Sequence, residues 1–253
     1  MILKIIKKLN CLLVDDQLRR DYCFKRFQLR QVRSLQEDSK KILKNTISHN
    51  LTAFEHFNVD FAMQRSKRLI FTICADESIN YESCILIVGP RTENEIFFLN
   101  SLGFKNIHAL DLISYSELIT LGDMHDMPFP SNRFDAVICG WTLSYSKAPR
   151  KVIREFIRVV RPNGLISIGV QHVVGQTQFT RQKERDSRLI DEKECLKNRI
   201  NSKSDIIQLF PKNKIKTINY AYDAELKKKG AQFLYKKTGL HSSQVMVAVK
   251  IQK

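Results

Sequence analysis

Ser83-Cys-Ile-Leu-Ile-Val-Gly-Pro-Arg-Thr-Glu-Asn-Glu95 opens a stretch that runs to Val170 and decides the fold. Cys84 to Val88 has the length and composition of a buried strand, and Gly89-Pro90 ends it. Thr92 and Glu95 have the spacing of a capping box, which predicts a helix from Glu93 to about Leu102, closed by a left-handed cap at Gly103. Lys105 to Leu110 reads as the next strand and ends on Asp111. Residues 114–121 suit a short helix or strand, and Met127-Pro-Phe-Pro-Ser-Asn132 is a turn-rich loop after Gly122-Asp123-Met124. Phe134 to Cys139 is a third strand, with Gly140-Trp141 just past its end. Pro149 starts a helix that points Val152, Ile153, Phe156, Ile157 and Val160 inward and stops before Pro162, and Leu165 to Val170 is a further strand. Strands alternating with helices describe an α/β, doubly wound, Rossmann-like parallel sheet with its ligand at the strand ends.

Outward from this stretch the chain changes character. Residues 15–50 lack glycine and proline, and their apolar residues recur at roughly helical spacing, predicting one or two helices. Another helix is expected around Phe54 to Ile73. We therefore divide the chain into an N-terminal helical cap, 1–80, and a sheet domain, 81–253. Residues 171–203 are polar and charged, and Ser204 to Phe210 suits a short helix. Lys214 to Tyr222 and Gln244 to Ile251 read as two terminal strands.

The composition is that of a soluble globular protein, 43% hydrophobic and 27% charged among 253 residues. No apolar run approaches the ~20 residues of a membrane span, and Met1 to Asn10 is not read as a signal peptide because lysines break it and no cleavage site follows. The six cysteines form no CxxC pair, which favours a reduced, cytoplasmic protein without structural zinc. The net charge of +16 lies wholly on the flanks: residues 81–180 hold nine basic and nine acidic side chains, whereas 1–80 sum to +6 and 181–253 to +10. Such flanks suit a solvated surface or an anionic partner.

The turn after the first strand narrows the ligand. Asp111 follows Gly89 by 22 positions, the placement of an acid that binds ribose hydroxyls. A dinucleotide also needs GxGxxG for its pyrophosphate. Here one glycine stands, and Glu93 and Glu95 in the first helical turn repel a pyrophosphate while tolerating an ammonium or a sulfonium.

Residues 83–170 resemble the core of the class I S-adenosylmethionine-dependent methyltransferases, of the small-molecule type. Leu86 to Glu93 stands at the family's glycine-rich first motif, and Asp111 at its ribose-binding acid. Gly122-Asp-Met-His-Asp-Met-Pro-Phe-Pro130 is similar to the segment that places an acid, here Asp123, at the adenine amino group, with Met124 beside the ring. Arg133 to Ile138 and Glu155-x-x-Arg-Val-x-x-Pro-x-Gly164 match the strand and the helix that follow. The resemblance implies seven strands with the last antiparallel, and S-adenosylmethionine as cofactor. It also implies binding residues Gly89, Pro90, Arg91, Asp111, Leu112, Asp123, Met124, Gly140 and Trp141. Only Gly89 survives of the first motif's glycines, since Arg91 and Glu93 replace the others. Arg91 either pairs with the cofactor carboxylate or fills its pocket.

The expected function is methyl transfer to a small-molecule acceptor, an anionic one suiting the basic flanks. A non-catalytic binding protein of the same fold is the alternative, and an RNA methyltransferase is a less favoured third, resting on charge alone. No Asn/Asp-Pro-Pro-aromatic motif of nucleic-acid amino methylases is present. His125, Tyr145 and His172 are candidate bases, none singled out, and neither acceptor nor oligomeric state is specified. Asp135 reads as structural.

Overall fold

The structure is a computed structural model, and it describes residues 13–35, 59–171, 200, 202–223 and 244–253. The chain folds around a seven-stranded sheet of β2 (Cys84–Val88), β3 (Asn106–Asp111), β5 (Thr120–Leu121), β6 (Phe134–Gly140), β7 (Val160–Gln171), β8 (Ile215–Asp223) and β9 (Gln244–Ile251). Their order is β5-β3-β2-β6-β7-β9-β8. The first five are mutually parallel, and β9 inserts antiparallel between β7 and β8. This is the doubly wound, seven-stranded sheet expected from the sequence. A separate two-stranded ribbon joins β1 (Arg33–Ser34) to β4 (Ile113–Ser114).

A parallel strand covered on both faces has to be apolar on both, which is how β2 is composed. Its side chains alternate between two cores. Ile85 and Ile87 face α2 (Val59–Cys74) and α3 (Asn94–Ser101), meeting Leu69, Ile70, Ile73, Ile96 and Leu99. Leu86 and Val88 face α4 (Pro149–Val159), meeting Val152, Ile153 and Phe156. Leu69, Ile70 and Ile73 are fully buried, each contributing about 1.5–3 kcal/mol of transfer free energy. The described part of the N-terminal segment thus seals one face of the sheet. A first helix, α1 (Asp16–Gln28), packs against α2 and α3, and a short α5 (Lys203–Ile207) contacts β8 and β9.

Several local expectations need correction. Thr92 and Glu95 make no capping box: α3 begins at Asn94, its N-cap Glu93 makes no side-chain cap bond, and Glu95 instead accepts from Ser66 Oγ at 2.9 Å. Tertiary packing has taken the side chain that local geometry would have used. Residues 114–121, expected as a short helix or strand, take the strand alternative only at their ends, in β4 (Ile113–Ser114) and β5 (Thr120–Leu121). Helix α4 passes straight into β7 at Val160, so Val160 and Pro162 belong to the strand. Gly103 does take a positive φ, 102°, after α3. Residues 36–58, part of the expected helical segment, and His172 with most of the polar 171–203 segment lie outside the described residues.

Candidate functional site

The strand order reverses between β2 and β6: the chain moves outward from β2 through β3, and resumes on the other side at β6. Ligands of open parallel sheets bind at the carboxyl ends of the strands beside such a switch. Gly89, Pro90 and Arg91 follow β2, Asp111 and Leu112 end β3, Asp123 and Met124 follow β5, and Gly140 and Trp141 end β6. All nine residues therefore gather at one edge of the sheet.

The loop after β2 is built for close approach. Gly89 has φ 74° and Arg91 φ 60°, both left-handed. Pro90 O accepts from Thr92 N at 2.6 Å, closing the turn. Arg91 is tied down in this left-handed conformation: its backbone N–H donates to Asp111 Oδ2 at 2.8 Å. Its side-chain Nε is buried without a hydrogen bond. Burial raises the Asp111 carboxyl, while the Arg91 amide and charge and the amides of Ile113 and Leu112 pull the other way. Glu95, next along, is also raised by burial, to about 7, against the lowering pull of Ser66 and the Arg91 charge. Arg91 is thus a cation near two buried carboxyl groups.

Helix α1 completes this corner, which the sequence did not announce. Arg19 is fully buried and donates through Nε to Asn94 Oδ1 at 2.6 Å and through Nη1 to Leu13 O at 2.5 Å. Arg26 Nε donates to Glu93 Oε1 at 2.7 Å, and Glu93 is fully buried. The glutamate that replaces the third glycine is therefore neutralised by a partner 67 residues away in sequence. A buried arginine runs against the hydropathy pattern, and the partners of Arg19 and Arg26 at the start of α3, Asn94 and Glu93, lie far from them in sequence.

The third loop is held from two sides. Helix α4 supplies Glu155, which accepts from Met127 N at 2.9 Å, and Arg158, which donates to Phe129 O at 2.7 Å and Met127 O at 3.0 Å. That is the physical meaning of Glu155-x-x-Arg158: it clamps the loop that carries Asp123 and Met124. Within the loop, Asp123 Oδ1 lies 2.6 Å from His125 Nδ1, and His125 Nε2 lies 2.7 Å from Ser146 Oγ. Met124 is partly buried against the core. Asp135 is structural, accepting from Cys84 N at 2.7 Å and pairing with Arg161 at 2.8 Å.

At the end of β6, Trp141 takes φ 66° and its ring packs on Gly169, where an added Cβ would lie 3.2 Å from the indole. Thr142 then opens a short 3₁₀ turn to Tyr145, which is half-exposed. Among the described cysteines no reactive thiol appears. Burial raises Cys23, Cys84, Cys74 (to about 11) and Cys139 (to about 12), keeping them protonated at neutral pH. No group of His, Cys, Asp and Glu among the described residues could hold a metal ion.

Residues 92–168, spanning α3 to β7, match the model of a methyltransferase domain. Over these residues the chain is similar to a methyltransferase domain. A demethylmenaquinone methyltransferase of Symbiobacterium thermophilum is 40% identical over 52 residues, covering 20% of this chain and 21% of that protein. The chain thus spans about a fifth of the curated relative it matches. Similar folds include the Burkholderia thailandensis 1,6-didemethyltoxoflavin-N1-methyltransferase, solved with bound 1,6-didemethyltoxoflavin and S-adenosylhomocysteine. It has TM-score 0.52 and 12% identity, with 88% of this chain and 96% of that chain covered. A chain from the complex of the Haloferax volcanii Trm112 activator with a methyltransferase has TM-score 0.51 and 10% identity, covering 86% and 100%. At such identities the likeness is one of fold. The side chains at this edge of the sheet are of the kinds that suit an adenosyl sulfonium: carboxylates to accept from hydroxyls and an amine, and a guanidinium to pair with a carboxylate.

Proposed function

We propose that this chain is an S-adenosylmethionine-dependent methyltransferase acting on a small-molecule acceptor. The observation that carries the reading is the pair Asp111 and Asp123 at the carboxyl ends of the neighbouring strands β3 and β5, beside the left-handed loop Gly89-Pro90-Arg91. In this reading Asp111 takes the ribose hydroxyls, Asp123 and Met124 take the adenine, and Leu112, Gly140 and Trp141 wall the cleft. Arg91, whose Nε has no partner, takes the carboxylate of the amino-acid end. When bound, S-adenosylmethionine supplies a methyl group on a positively charged sulfur. The protein's part is then orientation and exclusion of water, which suffice for much of the rate of an in-line transfer.

Small-molecule acceptors are supported by two similar proteins, a demethylmenaquinone methyltransferase and a 1,6-didemethyltoxoflavin-N1-methyltransferase. An anionic acceptor suits the +6 and +10 charges of the two flanks. We place the protein in the cytoplasm: four described cysteines are free, and no described helix is long and apolar enough to cross a membrane.

A second reading, a non-catalytic protein that keeps the fold, is favoured by one observation: Glu93 and Arg26 fill space at the first motif where the resemblance expects a glycine. Calorimetry of the full chain with S-adenosylmethionine and S-adenosylhomocysteine separates the two. Binding in the micromolar range supports the enzyme, and no heat at millimolar ligand overturns it. Asp111→Ala should weaken binding at least about tenfold, the worth of one good charged hydrogen bond. An RNA-binding role predicts instead a salt-sensitive shift of RNA.

A further inference from the structure

His125 forms a bridge between two loops whose strands do not pair. Asp123 follows β5 and Ser146 follows β6, and β3 and β2 lie between those strands. Asp123 Oδ1 accepts from the backbone N–H of His125 at 2.9 Å and lies 2.6 Å from its Nδ1. An ionised carboxylate can only accept, so Nδ1 carries the proton. In the neutral imidazole Nε2 is then the acceptor, and the Ser146 hydroxyl donates to it across 2.7 Å. Ser146 is itself fixed: its Oγ accepts from Ala148 N at 3.1 Å, its backbone N–H donates to Leu143 O at 3.0 Å, and it is nearly buried. The run Ser146–His125–Asp123 has one direction of donation from end to end, which sets both the imidazole tautomer and the angle of the carboxylate.

We propose that His125, anchored by Ser146, is a positioning residue for nucleobase selection: it orients the Asp123 carboxylate so that the site takes a 6-amino purine over a 6-oxo purine. The proposal rests on the reading of Asp123 as the adenine acid. A carboxylate only accepts hydrogen bonds, so it favours an exocyclic amine and opposes an exocyclic carbonyl oxygen. That discrimination depends on orientation, and a carboxylate on a loop keeps its orientation only if something holds it. Here the holder is an imidazole tied to the opposite side of the edge. His125 lies two residues from Asp123, but Ser146 lies 21 residues from His125, which is why no local motif shows the lock.

The test is calorimetry on the full chain with two probes, S-adenosylhomocysteine and S-inosylhomocysteine, which differ in the 6-amino and 6-oxo groups. The native protein should prefer the adenosyl compound by at least about tenfold. His125→Ala should reduce that preference to below about threefold, whereas His125→Asn, which keeps a donor near the place of Nδ1, should retain most of it. Ser146→Ala should lower it to between the two, and serves as the second probe if His125→Ala does not fold. Thermal melts of each variant separate loss of fold from loss of selection. An unchanged preference in folded His125→Ala and Ser146→Ala overturns the proposal, as does a native protein that binds both probes equally while still being a donor-binding protein. If the native protein binds neither probe, the reading of the site as a methyl-donor site fails first, and this inference with it.

Discussion

Thr142 occupies the space that any side chain at residue 89 would need: a Cβ built on Gly89 would lie 1.9 Å from Thr142 Oγ1 and 2.7 Å from its Cβ. The same hydroxyl faces the carbonyls of Val88, Gly89 and Gly140 at 3.3–3.5 Å. The loop after β2 and the turn after β6 are thereby shaped as one surface. This explains why Gly89 stands at a position where φ is 74° while the neighbouring Arg91 replaces a glycine of the resembled motif.

Gly89→Ala should destabilise the fold by at least about 2 kcal/mol, combining overpacking of roughly 1–3 kcal/mol with the left-handed penalty. Adding Thr142→Gly removes the obstacle but not the φ, so the double variant should recover about half of the loss. Urea unfolding of the four proteins measures the coupling. Simple additivity of the two single changes would show that the contact is not what confines residue 89.

Glu95 carries a cost that depends on pH. Burial raises its carboxyl from 4.5 to about 7, against the lowering effects of Ser66 and Arg91. The folded chain therefore holds a proton between those values that the unfolded chain has lost, and stability must fall as pH rises through this window. Above it the cost is at most about 3 kcal/mol. Glu95→Gln keeps an acceptor for Ser66 and carries no charge, so it should raise stability at pH 8 and leave it nearly unchanged at pH 4. Denaturation at the two pH values checks this; equal effects at both would refute it.

What the sequence made legible was what repeats or stands close together. Ile85-Leu-Ile-Val88 could only be a strand covered on both faces, and Asp111 and Asp123 could be placed at strand ends because strand lengths count residues. Glu155-x-x-Arg158 was visible as a pattern, though not as the clamp on Met127 and Phe129. The missed features join distant residues. Arg19 is buried and Arg26 partly buried where they meet Asn94 and Glu93 at the start of another helix, and nothing in α1 itself distinguishes them from surface arginines. Glu95 left the capping box for Ser66 for the same reason. The ribbon of β1 and β4 pairs only two residues per strand, too few to show a period.

Asp76 ties the end of α2 to the far edge of the sheet. It accepts from Lys250 Nζ at 3.0 Å, from Asn219 Nδ2 at 2.7 Å and from the Ser78 amide at 3.0 Å. Burial raises its carboxyl, but the bonds from Ser78, Lys250 and Asn219 outweigh this and hold it at about 2. A depressed carboxyl stabilises above its unfolded value and loses that contribution as pH falls, here between about 4 and 2. Asp76→Ala should cost about 2 kcal/mol at pH 7 and almost nothing at pH 2. Acid titration of native protein and variant by circular dichroism measures it; a variant that denatures along the native acid curve would remove Asp76 as the source.

The pair Arg26–Glu93 gives the sharpest separation between holding a charge and placing one. Glu93 is fully buried at the first turn beyond the loop that holds Arg91, and Arg26 Nε meets it at 2.7 Å. Removing the cation alone leaves a buried carboxylate without its counter-charge, a change that costs roughly 3–5 kcal/mol in well-buried pairs. Arg26→Met should approach the lower end of that range, because Arg26 is partly solvent-exposed. Replacing both, as Arg26→Met with Glu93→Gln, removes the uncompensated charge and should restore most of the stability. If the pair serves only to neutralise a misplaced acid, S-adenosylhomocysteine binding in the double variant should match the native protein. If α1 is instead part of the site, binding should fall although the fold is restored. Chemical denaturation and calorimetry on the same samples decide between these. A single variant as unstable as the double one would show that the loss comes from packing at α1, not from the charge left on Glu93.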